Sequence, residues 1–149
     1  ITEFGHFIHA HTSWVMSDIE YIINYSDEQP AVAIIHVGAD MFLRQAYSTN
    51  QKNYRLSVLD VNDKINTNNK KLYDIAGPLC FSGDYLFHNR QLPELSKHNK
   101  LIIHDIGANT YSLWSKHCNR DFPKVIAYSL KSDFMEIIQD RNNGNKDLI

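Results

Sequence analysis

Gly77-Pro78-Leu79-Cys80-Phe81-Ser82-Gly83-Asp84 puts a cysteine on a turn bounded by glycine and proline, with an aspartate four residues on. A thiol held on a rigid turn suits proton donation or nucleophilic attack, since both need a fixed, accessible sulfur. The plainer reading is a buried structural cysteine that packs as a small apolar side chain. A second turn, Asp105-Ile106-Gly107-Ala108-Asn109, follows the apolar run Leu101-Ile102-Ile103. Near the start of the chain, Gly5 and His6 open a stretch of helical spacing. A glycine turn entering a helix offers backbone N–H groups and a positive dipole end to an anion. Arg44 stands three residues before Tyr47. An arginine can grip a carboxylate with two hydrogen bonds, or simply face solvent. His6, His9, His11 and His36 lack the His-Glu-x-x-His spacing and have no cysteine pair beside them, so no metal is assigned.

These residues must be carried by regular elements. Phe7, Ile8, Trp14, Val15, Ile19, Ile22 and Ile23 recur at roughly helical spacing, which predicts an amphipathic helix over 7–24. Ala31 to Val37 is a β-branched run of buried-strand type. Tyr54 to Val61 alternates like a half-buried strand, and the Asn- and Lys-rich stretch 62–71 reads as a loop. Strands are also expected at 73–79, 101–104 and 125–128, and a short helix at 133–141. A β-rich domain preceded by the end of something helical follows from this order.

The 149 residues are 43% hydrophobic and 21% charged, ordinary for a globular protein. A net charge of -2 offers no basic excess for phosphates, which argues against nucleic-acid or membrane-surface binding. No apolar run reaches the roughly 18–20 residues that cross a bilayer. Two cysteines are too few for a disulfide scaffold and fit a reducing compartment, so a cytoplasmic location is expected. The start lacks a methionine and any signal-peptide pattern, and is expected to be internal to a longer protein.

In order along the chain stand Ile1-Thr2-Glu3-Phe4-Gly5-His6, then His36-Val37-Gly38-Ala39-Asp40 with Leu43-Arg44-Gln45-Ala46-Tyr47. The cysteine turn, Leu92-Pro93-Glu94-Leu95 and Asp105-Ile106-Gly107-Ala108 with Ser112-Leu113 follow. This ordered set resembles the C-terminal part of the fold-type III pyridoxal-phosphate decarboxylases, the family of diaminopimelate and ornithine decarboxylases. The resemblance implies a mainly β fold: a β-sandwich or barrel-like domain over 31–149, preceded over 1–24 by the last turn and helix of an α/β barrel. It implies pyridoxal 5'-phosphate as cofactor, an amino-acid substrate, a homodimer, and a Schiff-base lysine upstream, so that the fragment alone is inactive.

The resemblance also assigns roles. Cys80 is the proton donor, reaching the neighbouring subunit's active site. Glu3 stands where a carboxylate keeps the cofactor's ring nitrogen protonated. Gly5, His6 and Asn109 fall at phosphate-binding positions, and Arg44, Tyr47 and Phe81 at substrate-binding ones. Three of these depart from the family. His6 replaces an arginine, and a neutral imidazole is the weaker phosphate partner. Asn109 replaces a tyrosine. Phe81 replaces the acid that pairs with a substrate's distal amine, so the substrate is expected to lack that amine, unless Asp84 meets it instead. A non-catalytic homologue serving as a binding or regulatory partner is the alternative, and an unrelated β-sandwich module a more distant one.

Overall fold

The computed structural model describes residues 4–26, 28–48 and 53–141. Six strands, β1 (Trp14–Ile23), β2 (Ala31–Ile35), β3 (Leu56–Leu59), β4 (Lys70–Ala76), β5 (Tyr85–Pro93) and β6 (Lys100–His104), form one sheet in the order β3-β6-β1-β2-β4-β5. Two five-residue helices, α1 (Gly5–His9) and α2 (Leu43–Tyr47), sit in the connections. The mainly β class expected from the sequence is the class observed.

The helix expected over 7–24 is corrected. Only Gly5–His9 is α-helical, and Trp14–Ile23 is the strand β1. Val15, Ser17 and Ile19 face inward while Trp14, Met16 and Asp18 face out. A bulge between Ile19 and Tyr21 then shifts the phase, so that Ile22 turns toward the core and Tyr21 and Ile23 turn out. An extra residue in a two-residue alternation imitates helical spacing. The β-branched and aromatic content of the segment favours the pleated surface. Residues 14–23 and 31–35 are therefore neighbours in one sheet, through which the expected division between 24 and 31 runs. The helix expected over 133–141 is likewise corrected, since Phe134–Gln139 is a strand. The long strand β5 has no counterpart in the sequence reading, because a left-handed residue, Asn89, interrupts its alternation.

Ile19, Ile35, Ile75, Leu86, Leu101 and Ile103 are at most 1% exposed and form the centre of the core. Each such burial contributes about 1.5–3 kcal/mol. The sheet curls, because its two edge strands come into contact. Tyr54, just before β3, meets the ring of Phe87 on β5 with centroids 6.0 Å apart, and Arg90 Nη2 donates to the Tyr54 carbonyl at 2.8 Å. Side chains rather than a backbone ladder thus join the two edges, and the result is a half-barrel.

Tyr73 ties a strand to a loop: it is 2% exposed, and its hydroxyl accepts the Leu95 backbone N–H at 3.0 Å. Tyr73→Phe should cost about 1–2 kcal/mol by orphaning that buried donor. Urea unfolding of the two proteins measures it, and equal stabilities would show that the Leu95 N–H finds another acceptor.

The chain divides into two compact units, Ile1–Ser115 and Lys116–Ile149. Within the second unit, β7 (Val125–Ser129) and β8 (Phe134–Gln139) pair as an antiparallel hairpin. Its cross-strand pairs Ile126–Ile137 and Tyr128–Met135 are exposed.

Candidate active site

Strand directions decide where the candidate residues fall. β1 is antiparallel to β2 and β6, β2 is parallel to β4, β4 is antiparallel to β5, and β3 is antiparallel to β6. The segments before β1, after β2, between β4 and β5, and after β6 therefore all emerge at the same end of the sheet. Gly5 and His6 lie before β1, Arg44 and Tyr47 after β2, Cys80 and Phe81 between β4 and β5, and Asn109 after β6. Every described candidate, from position 5 to position 109, thus stands along one rim. Glu3 lies outside the described residues.

The cysteine turn is held from inside. Asp84 is 3% exposed, and its carboxylate accepts the N–H groups of Ala39 at 2.6 Å and Leu79 at 2.7 Å. The ends of the turn close through Gly77 N–H to the Asp84 carbonyl at 2.8 Å. Gly38 and Gly77 are required here, because a Cβ on Gly77 would overlap the Asp84 carboxylate and the Gly38 Cα. One carboxylate therefore joins the turn carrying Cys80 to the loop leading into α2. Both oxygens of Asp84 serve backbone donors, so this acid holds the turn and is not presented to a substrate amine. Cys80 itself is exposed, which removes the buried-cysteine reading. Phe81 is half-exposed, and its ring lies over Gly83.

On α2, Gln45 is buried and donates from Nε2 to the Leu86 carbonyl at 3.0 Å. That bond anchors the helix to the start of β5, next to the cysteine turn. Arg44 and Tyr47 are exposed, and their three-residue spacing puts them on one helical face.

At the other side of the rim, α1 has no buried side chain and is too short for a strong dipole. The segment is instead tied to the turn after β6. Gly107 N–H donates to the Ala10 carbonyl at 3.0 Å and Ile106 N–H to the Ser13 carbonyl at 3.1 Å. Gly107 is again required, since a Cβ there would overlap the His9 carbonyl. Asp105 accepts two hydrogen bonds from Arg55, at 2.8 and 2.9 Å, and lies 2.6 Å from His11 Nδ1. Gly5 faces open space, with nothing within 4 Å of an added Cβ. His6 and Asn109 are exposed nearby in the chain path. The imidazole and the carboxamide can both donate hydrogen bonds to an anion such as a phosphate.

The Asp105 turn is legible in the sequence, whereas the anchoring of both carboxylates is not. Arg55 and His11 lie 50 and 94 residues from Asp105, beyond any local pattern. For Asp84, the glycines at 38 and 77 were the available signal: each leaves room for another group to approach the backbone.

The Arg55 guanidinium, and then His11, hold the Asp105 carboxyl well below the usual carboxylate range, against the opposing push of burial. A depressed folded-state value means that this stabilisation is complete above the unfolded value near ~3.9, and is lost as pH falls below it. Wild type should therefore lose more stability than Asp105→Asn between pH 5 and pH 3. Urea unfolding across that range measures the difference, and parallel curves would refute it. Added salt should shrink it, because Arg55 is 69% exposed.

A curled six-stranded sheet with a thiol, an arginine and a donor-rich turn along one rim is the class of β domain that this chain forms. Residues 11–107 match the family of the pyridoxal-dependent decarboxylase C-terminal sheet domain, and the chain belongs to that family. Diaminopimelate decarboxylase of Helicobacter pylori is 34% identical over 68 residues, 46% of this chain and 16% of that protein. That of Archaeoglobus fulgidus is 25% identical over 83 residues, 56% of this chain and 19% of the relative. A crystal structure of diaminopimelate decarboxylase superposes with a TM-score of 0.81 at 21% identity, covering 92% of this chain and 33% of that one. The Helicobacter pylori enzyme complexed with L-lysine gives a TM-score of 0.74 at 23% identity, over 91% of this chain and 31% of that one. The chain thus spans about a third of the solved structures it matches, and a smaller share of the curated relatives.

Proposed function

We propose that this chain is the C-terminal sheet domain of a pyridoxal-phosphate-dependent amino-acid decarboxylase, and that it contributes Cys80 as the proton donor of the active site. The observation that carries this reading is the convergence of Cys80, Arg44, Tyr47, Gly5, His6 and Asn109 along one rim of a domain of this family. When bound, the cofactor supplies the electron sink for the bond broken as carbon dioxide leaves. Cys80 then delivers the Sγ proton to the substrate carbon. Arg44, with Tyr47 beside it, holds the substrate carboxylate through its two-pronged guanidinium. Gly5 N–H, His6 and Asn109 would hold the cofactor phosphate, and Glu3, which lies outside the described residues, would supply the carboxylate for its ring nitrogen. The lysine that anchors the cofactor belongs to a barrel domain elsewhere in the protein.

The open rim favours a site shared between two copies of the protein, with Cys80 of one protomer serving its partner in a cytoplasmic homodimer. The substrate is an amino acid without a distal amine. Phe81 cannot form an ion pair with an ammonium, and Asp84, the only acid of the 77–84 turn, is committed to backbone donors. Phe81→Glu should raise kcat/KM for amino acids with a distal ammonium by about tenfold or more, because a buried cation needs a partner. No change over a panel of diamino acids would refute that assignment.

The reading as a whole is tested with the full-length protein, by its pyridoxal absorbance and by carbon dioxide release over a panel of amino acids. Absence of both would sink it and favour a regulatory homologue, to which the replacements at His6, Phe81 and Asn109 already point.

A further inference from the structure

The segment Gly5–Ser13 cannot hold its own place. α1 has five residues, no side-chain cap and no buried side chain, whereas isolated helices need about 12–15 residues even to be marginal. What fixes it lies at its C-terminal end. Ala10 is 4% exposed, Thr12 Oγ1 donates to the His9 carbonyl at 2.7 Å, and two carbonyls of the segment accept the Ile106 and Gly107 N–H groups. On the facing turn, Asp105 has a left-handed backbone, with φ at 63°. Asp enters that region more readily than most residues, and its surroundings hold it there. The surroundings here are the two Arg55 bonds and the His11 contact, gathered on one carboxylate that is 11% exposed. Arg55 stands just before β3, and its carbonyl accepts the His104 N–H at 2.9 Å. The three partners thus come from the segments before β1, before β3 and after β6.

We propose that Asp105 is a positioning residue of the rim: by clasping Arg55 and His11, its carboxylate sets Gly5–Ser13 against the 105–109 turn, so that Gly5, His6 and Asn109 are presented together. What the presented residues bind rests on the reading given above; the clasp itself does not. Surface ion pairs contribute little on their own. This one is two-pronged and shared with a third group, so it acts through geometry, which a lysine at position 55 would not reproduce.

Amide hydrogen exchange of the 149-residue chain tests the clasp. In Asp105→Asn and Arg55→Lys, the Ile106 and Gly107 amides should exchange about tenfold faster than in wild type, with β2 and β4 amides unchanged. His11→Gln should give a smaller change at the same amides. Unchanged exchange at 106 and 107 in folded Asp105→Asn overturns the proposal. If that variant does not fold, unchanged exchange in Arg55→Lys and His11→Gln overturns it equally. In the full-length protein, Asp105→Asn should raise the pyridoxal phosphate dissociation constant by about tenfold at unchanged thermal stability of the β4–β5 region, a change that a purely structural role would not produce. If the variants loosen 106–107 while full-length wild type binds no cofactor, the clasp stands and the decarboxylase reading fails.

Discussion

Cys80→Ala in the full-length protein is expected to lower kcat for decarboxylation by about 10²–10⁴-fold, the range that a positioned proton donor contributes. The cofactor spectrum should stay unchanged, because Cys80 is not among the residues assigned to the phosphate. KM should change little, since the proposed role places the thiol at the substrate carbon only after carbon dioxide has left, not at the bound ground state. Cys80 is exposed, so its truncation opens no core cavity, and thermal unfolding of the variant separates a loss of rate from a loss of fold. Steady-state kinetics with a carbon dioxide readout decide the matter. A variant within a factor of about two of wild type would remove Cys80 from the mechanism and leave the turn a structural feature.

The second large effect concerns the carboxylate that holds this turn. Asp84→Ala should destabilise the protein by about 2–5 kcal/mol. Two donors, the Ala39 and Leu79 N–H groups, lose their acceptor together, and a buried orphan costs about 1–3 kcal/mol. For a unit of this size that corresponds to a melting temperature lower by roughly 10 °C or more. Gly77→Ala should produce a loss of the same kind from the opposite direction, since its Cβ overlaps the Gly38 backbone and would push the carboxylate off its backbone donors. Combining the two changes should cost less than their sum, because both break one contact. Thermal unfolding of the single and double variants measures this. A fully stable Asp84→Ala protein would show that the two loops are held apart from that carboxylate.

The positions of the motif residues were legible in the sequence because the signals involved are local. The β-branched run at 31–35, the strand before Asp105 and the Gly-Pro bounded cysteine turn each declare themselves within a few residues. The ordered motifs identified the family and the mainly β class for the same reason. The strand at 14–23 was not legible. Its bulge breaks the two-residue alternation, and only pairing with Ala31–Ile35 on one side and Lys100–His104 on the other makes it a strand. Nor could composition show that Phe134–Gln139 would pair with Val125–Ser129 instead of coiling.

What the sequence determined by itself, then, is the class of the domain, its family, and the residue types that can do chemistry: Cys80, Arg44, and the turn ending at Asn109. Tertiary structure alone decided that these residues share one rim, that Asp84 is spent on backbone N–H groups, and that Asp105 clasps Arg55 and His11. The physical reason is range. Backbone preference and side-chain periodicity act over a few residues, whereas strand direction, and the pairing of charges 50 to 94 residues apart, exist only once the sheet has closed.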